Sequence, residues 1–234
     1  MTDGKRALIV GAGAGLSAAV ARQLAAEGWQ VCLSARNTAK LAGLCAEIGA
    51  TAHACDATDP DQVAALFADL EQSGGAPAFV LYNASRRAPG AITDLDPAEV
   101  RTAIEISAFG GFLVAQQAAR RMLPAGAGAI FFTGASASVK GYPRSSSFAM
   151  GKFALRGLAQ SLARELHPQG IHIAHFVIDG GIAADHRNGR QNTGDQPDKW
   201  LEPDAIAETY MAILKQPRSA WTWEVEIRPW VETF

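Results

Sequence analysis

The chain has 234 residues, 48% hydrophobic and 19% charged, and its 21 basic and 23 acidic side chains leave a formal net charge of −2. This length suits one well-buried core, so a single domain over 1–234 is expected, and with no basic run a nucleic-acid partner is excluded. Apolar stretches break off well short of the roughly 20 residues that cross a bilayer, and MTDGKR leads straight into a strand, so no membrane partner and a cytoplasmic location are expected. Cys32, Cys45 and Cys55 stand singly, without C-x-x-C spacing or a histidine cluster, and read as small hydrophobes rather than disulfide or metal sites.

In chain order, apolar strand-like runs at 6–10, 31–35, 51–55, 78–82, 129–133 and 171–178 alternate with helical patterns at 16–27, 39–48, 60–72, 98–123, 148–166 and 203–214. Asp59-Pro60 and Asp96-Pro97 pair a capping residue with an N1 proline, and Gly28, Gly49 and Gly170 mark helix ends. Most strand runs are bare rather than alternating, the mark of strands buried on both faces. The repeated alternation demands right-handed crossovers, hence an α/β fold with a doubly wound parallel sheet of about seven strands flanked by helices.

Two stretches break the rhythm. GGIAADHRNGRQNTGDQPDKW is polar and aperiodic, and 180–203 is expected to form a substrate lid. WTWEVEIRP, 221–229, alternates as a last strand with one drier face. His53, His167, His172, His175 and His186 include no pair with metal-ligand spacing on one element, so no metal is expected; His186, in the lid, is a minor candidate proton carrier.

The stretch ALIVGAGAGLSAAVARQLAAEG has the strand, glycine turn and helix that a dinucleotide needs. Gly11 permits a tight turn, Gly13, Ala14 and Gly15 bring backbone toward a pyrophosphate, and the helix opening at Leu16 points its amides at the charge. At the end of the second strand, LSARN puts Ala35 and Arg36 where an acid would hold the ribose diol of NAD, with Ser34 beside them as a further cofactor-binding candidate. Arginine suits a 2′-phosphate instead, so NADP(H) is favoured over NAD(H).

With these residues the chain resembles the short-chain dehydrogenase/reductase family over essentially its whole length. Cys55-Asp56-Ala57-Thr58-Asp59 is similar to the family's acidic element at the adenine, and Leu81-Tyr82-Asn83-Ala84-Ser85 to its asparagine motif. The resemblance implies a single Rossmann-type domain, cofactor contacts from Asp56, Ala57, Asn83, Ala84, Ser85, Gly180 and Ile182, and a homodimer or homotetramer packed through the helices 98–123 and 148–166. It also implies that Lys152 holds the nicotinamide ribose.

Ordinary members use asparagine, serine, tyrosine and lysine, the tyrosine exchanging a proton while hydride moves. Here Lys152 is kept, but Phe148 stands at the tyrosine position, Ala135 at the serine with Ser136 beside it, Ser107 at the asparagine, and Asp179-Gly180 where proline-glycine is usual. Tyr142, six residues before Phe148, reads first as a lid or pocket-wall residue and second as a candidate substitute acid; Ser145, Ser146 and Ser147 read as cap and turn residues. The expectation is an oxidoreductase with a degenerate tetrad acting on a small or medium apolar carbonyl, imine or alcohol. The alternatives are a catalytically silent dinucleotide-binding protein and a non-redox cyclase or isomerase.

Overall fold

In the computed structural model, which describes residues 5–184 and 190–233, the apolar runs become β1 (Arg6–Val10), β2 (Gln30–Ala35), β3 (Thr51–Ala54), β4 (Phe79–Tyr82), β5 (Gly128–Thr133), β6 (Ile171–Ile178) and β7 (Glu224–Ile227). They form one parallel sheet in the order β3-β2-β1-β4-β5-β6-β7. The crossovers are α1 (Leu16–Ala26), α2 (Ala42–Ile48), α3 (Pro60–Gly74), α4 (Pro97–Ile104), α5 (Gly110–Met122), α6 (Ser146–Leu166) and α7 (Pro203–Leu214). The expected seven-stranded α/β architecture is therefore the observed one.

Alternation along each strand divides the core into two layers. Ala7 and Ile9 of β1 pack with Leu24 of α1 and Ile206 and Tyr210 of α7. Leu8 and Val10 face the other way, onto Phe67 of α3, Val114 of α5 and Leu155 of α6. Caps set the helix starts where the sequence signals them: Asp59 accepts from the amides of Asp61 and Gln62, and Asp96 from that of Ala98. The order reverses between β1 and β4, which leaves a crevice beyond their carboxyl ends.

Three expectations are corrected. The helix expected at 98–123 is interrupted by a π segment, Glu105–Phe109. There the buried Tyr82 hydroxyl donates to the Ile106 carbonyl, a tertiary partner that draws one carbonyl out of the ladder. Gly110 then passes Tyr82 so closely that a Cβ would lie 2.4 Å from its Oη. Next, 39–48 begins as a 3-10 turn, Ala39–Leu41, before α2. Finally, the alternation at 221–229 is a strand only over β7. Trp221 is instead stacked 4.6 Å from His172 at 3° and donates to the Gln216 carbonyl, which holds the chain out of the ladder until Glu224.

His172 and His175 point to opposite faces of β6 and are 2% and 0% exposed. His172 Nε2 lies 2.9 Å from the Thr222 carbonyl, and His175 Nδ1 lies 3.0 Å from Glu224 Oε2. Burial, the leading cause, pushes both imidazoles down to about 4. Between pH 6.5 and 4 the unfolded chain binds protons that the folded chain refuses, so stability falls as pH drops through that window, on the order of 3 kcal/mol per histidine. Urea unfolding at pH 7 and pH 4.5 should show the loss, and His172→Gln should flatten it; an unchanged slope would refute the assignment.

Candidate functional site

The crevice opens into a cavity of about 1120 Å³ lined by the glycine turn, the ends of β2 and β4, the loop after β5, the face of α6, and the segment after β6. Its floor is set by Gly11, at φ +81, whose absent Cβ would lie 2.4 Å from the Ala84 amide nitrogen. The amides of Gly11 and Ala12 both donate to the Ser34 carbonyl at 3.0 Å, and the Asn83 side chain donates to the Gly11 carbonyl at 3.3 Å. Three strand ends are thereby tied to one turn. At Gly13 and Gly15 a Cβ would meet nothing within 4 Å, so this backbone faces open space. The N-terminus of α1 has no side-chain cap and no acid in its first turn. Uncapped amides with no competing carboxylate fit the pyrophosphate of a dinucleotide.

Gly11, Gly13, Ala14, Gly15, Leu16, Arg36, Asp56, Ala57, Asn83, Ala84, Ser85, Gly180 and Ile182 all line this cavity. Arg36 is exposed at the end of β2, and Lys40, which the sequence reading passed over, lines the same end. Asp56 folds into an Asx turn, accepting from the Thr58 amide at 3.0 Å and hydroxyl at 2.8 Å, while Asp59 is spent on capping α3. Ser34 does not line the cavity; its part is the backbone carbonyl beneath the glycine turn.

At the other end stand Lys152, Phe148, Ser136, Tyr142, Arg87, Ala135 and Asp179. Phe148 and Lys152 are four residues apart on α6 and so share one face. Lys152 is 2% exposed and donates to the Thr133 carbonyl at 2.7 Å. Burial, and then the Arg87 charge, push its ammonium down to about 7. The Arg87 guanidinium lies 4.0 Å from the Phe148 ring centroid and the Lys152 ammonium 5.8 Å from it, both within cation–π reach. Asp179, at the end of β6, is bonded by Lys140 at 3.1 Å and Arg228 at 2.7 Å.

Ser107 does not reach the cavity. It lies fully buried in the π segment, its hydroxyl accepting from the Arg86 amide at 3.3 Å, with Gly151 pressed so close that a Cβ there would lie 2.7 Å from the Ser107 Cβ. Ser145 occupies the N-cap of α6 without a side-chain cap, whereas Ser147 donates to the Ala88 carbonyl at 2.7 Å and ties α6 to the loop after β4. Of the expected lid, 180–184 and 190–203 are described: Ile182 bridges Leu201, Trp200 packs on Gly181, and the Asn192 side chain accepts from the Trp200 amide at 2.9 Å. His186 lies outside the described residues. Arg87 and Lys140 were missed because nothing local singles them out; only long-range packing brings them to the site.

Among known proteins, residues 5–193 match the short chain dehydrogenase family. The crystal structure of a short-chain dehydrogenase from Rhodopseudomonas palustris is similar with a TM-score of 0.83 and 35% identity, covering 97% of this chain and 99% of that one. A metagenomic short-chain oxidoreductase in complex with NADP has a TM-score of 0.83 at 25% identity, covering 97% and 98%. An uncharacterized oxidoreductase of Staphylococcus aureus is 28% identical over 235 residues, 98% of each chain. No helix among the described residues is long and apolar enough to cross a membrane. Glycine turn, cavity at the reversal of strand order and full-length relatives agree: the chain belongs to the short-chain dehydrogenase family and is an NAD(P)-dependent oxidoreductase.

Proposed function

We propose that the chain is an NADP(H)-linked oxidoreductase whose proton-transfer side departs from the ordinary tetrad, acting on a small or medium apolar carbonyl, imine or alcohol. The observation that carries this reading is a single cavity with an uncapped α1 N-terminus and Arg36 with Lys40 at one end, and Lys152 at the other. When bound, the dinucleotide supplies or accepts the hydride. The protein's residues do the rest.

The glycine turn and α1 amides hold the pyrophosphate, and the pair Arg36 and Lys40 suits the additional phosphate of NADP over the diol of NAD. The relative bound to NADP supports the same preference. Asp56 and Ala57 border the adenine, while Asn83, Ala84 and Ser85 support the middle of the cofactor. Lys152, anchored by Thr133, would hold the nicotinamide ribose with its remaining N–H groups, and Gly180 and Ile182 line the same cavity.

Phe148 has no proton to give, so Lys152 has no phenol to acidify. The ring instead closes the cavity wall and carries Arg87. Ser136 remains as a hydroxyl for the substrate, and Ser107, facing Arg86, serves packing. A substrate whose reduction needs little help from an acid, such as an imine or activated alkene, suits this arrangement, and the described residues 180–184, Arg190 and Trp200 of the expected lid line the same cavity. Phe109, Phe112, Met150 and Phe153 are exposed apolar residues along the α5 and α6 side, which supports assembly as a dimer or tetramer through these helices.

Two measurements test the reading. Fluorescence titration should give NADPH a dissociation constant at least about tenfold below that of NADH, and Arg36→Ala should remove most of that margin, as expected for loss of one charge-assisted phosphate contact. Tighter NADH binding would overturn the cofactor preference, and no binding of either would overturn the function. In Phe148→Tyr, a phenol is returned beside Lys152; carbonyl-dependent NADPH oxidation should rise, by less than the roughly 10²-fold that general acid catalysis contributes to a site with no donor at all. A variant no faster than wild type would refute the view that this position limits carbonyl reduction.

A further inference from the structure

The loop from β5 to α6 carries Ser136, Lys140 and Tyr142 within seven residues, and it is held by two turns of its own and by bonds to two other segments. The Ser136 carbonyl accepts from the amides of Val139 and Lys140, both at 3.0 Å, closing the loop's first turn. The Ser145 amide donates to the Tyr142 carbonyl at 3.2 Å, closing its second. Arg144, inside that second turn, adopts φ +60, and its carbonyl accepts from the Gly90 amide at 3.0 Å. A left-handed arginine costs on the order of 1 kcal/mol and persists only where its surroundings impose it.

The tie across the cavity is Lys140. Its ammonium reaches 39 residues along the chain to Asp179 Oδ2, which is 4% exposed and is bonded again by Arg228. The Lys140 ammonium is held above its ordinary range first by this bond and, more weakly, by the nearby Tyr142 side chain. Tyr142 lines the cavity with Phe148, Lys152 and Ser136, and it is 43% exposed. Lys152 gives one of its N–H groups to the Thr133 carbonyl and stands 5.8 Å from the Phe148 ring centroid. A proline at 179 would have no carboxylate to make the tie.

We propose that Asp179 and Lys140 fix Tyr142 as the proton donor of this site, with Lys140 as its positioning residue. The inference rests on the oxidoreductase reading above. In carbonyl reduction, the Tyr142 Oη–H bond breaks and an O–H bond forms on the substrate oxygen, whose carbon takes hydride from the reduced nicotinamide dinucleotide. The electron pair of the broken bond stays on the phenolate, where the Lys140 ammonium opposes the new charge. Solvent returns the proton through the exposed edge of the ring. The arrangement supplies from a loop what a tyrosine at 148 would supply from a helix.

The test is a double-mutant cycle with NADPH and 2,3-butanedione, an activated diketone, as probe. Tyr142→Phe should lower kcat by about 10²-fold or more, and Lys140→Met by about tenfold, while the dissociation constant for NADPH, read by fluorescence, stays within about twofold. Lys140→Arg should recover most of the activity, and the double variant should be no slower than Tyr142→Phe alone, because the cation acts only through the phenol. A Tyr142→Phe enzyme within threefold of wild type, or multiplying losses in the double variant, would overturn the proposal. NADPH binding with no turnover of the diketone would overturn it too, leaving the cofactor reading intact, whereas absence of NADPH binding would overturn both.

Discussion

The architecture of the site depends on one close approach, that of Gly11 to Ala84. A side chain at Gly11 would need both a backbone conformation that L residues disfavour and space that the Ala84 backbone already fills. Because neither is demanded, β1 and β4 stay side by side while their continuations diverge, α1 leaving toward one face and the Asn83 segment toward the other. Ser34 and Asn83 then bind the turn from two neighbouring strands. The open amides at the start of α1 are aimed into the crevice by this node rather than by the helix itself.

A second ordering element is the stripe Phe148, Lys152, Arg156 on α6, residues four apart that run from the cavity wall into the layer beneath. Arg156 makes a bidentate pair with Glu224 at 2.6 and 2.7 Å, and the same carboxylate takes the His175 imidazole. Glu224 is drawn below its ordinary range by Arg156 and His175, against the effect of its burial. Its charge is thus committed to Arg156, and none is left for Lys152, which meets only a carbonyl and an aromatic face. Two neutral partners stabilise an ammonium far less than a carboxylate does, so desolvation wins and the Lys152 proton is loosely held. A phenol at 148 would offer that ammonium an oxygen; phenylalanine leaves it tied to β5.

Most of the fold was legible because the strands are bare apolar runs bounded by glycine and by Asp-Pro caps, signals that act locally. What could not be read depended on contacts distant in sequence. EISAF is as good a helical segment as its neighbours, and only the Tyr82 hydroxyl, 24 residues away, distinguishes the Ile106 carbonyl. Spacing likewise put Ser107 at a reactive position, but within that π segment its hydroxyl meets the Arg86 backbone. The glycine turn and Lys152 were legible from order and spacing; Lys40, Arg87 and Lys140 were not, since a lone cation in a polar loop looks solvated until the fold shows what it faces. Trp221 misled in the opposite sense: its place in an alternating run suggested a strand residue, while its ring is taken by His172.

Asp179 joins segments that are distant in sequence at the edge of the cavity. A carboxylate buried without partners costs several kcal/mol. Asp179 has two cations, one from the β5–α6 loop and one from the chain beyond β7, so its charge at the end of β6 is matched by residues on two other segments. The match reaches further, since Pro229, next to Arg228, packs against Gly180, next to Asp179. One charged residue at 179 therefore ties together the loop that carries Tyr142, the base of the 180–203 segment and the C-terminal stretch. Removing the carboxylate would cost Lys140 its ion pair and leave Arg228 with Glu226, so the ties that the β5–α6 loop and the C-terminal stretch make to the end of β6 run through this one side chain.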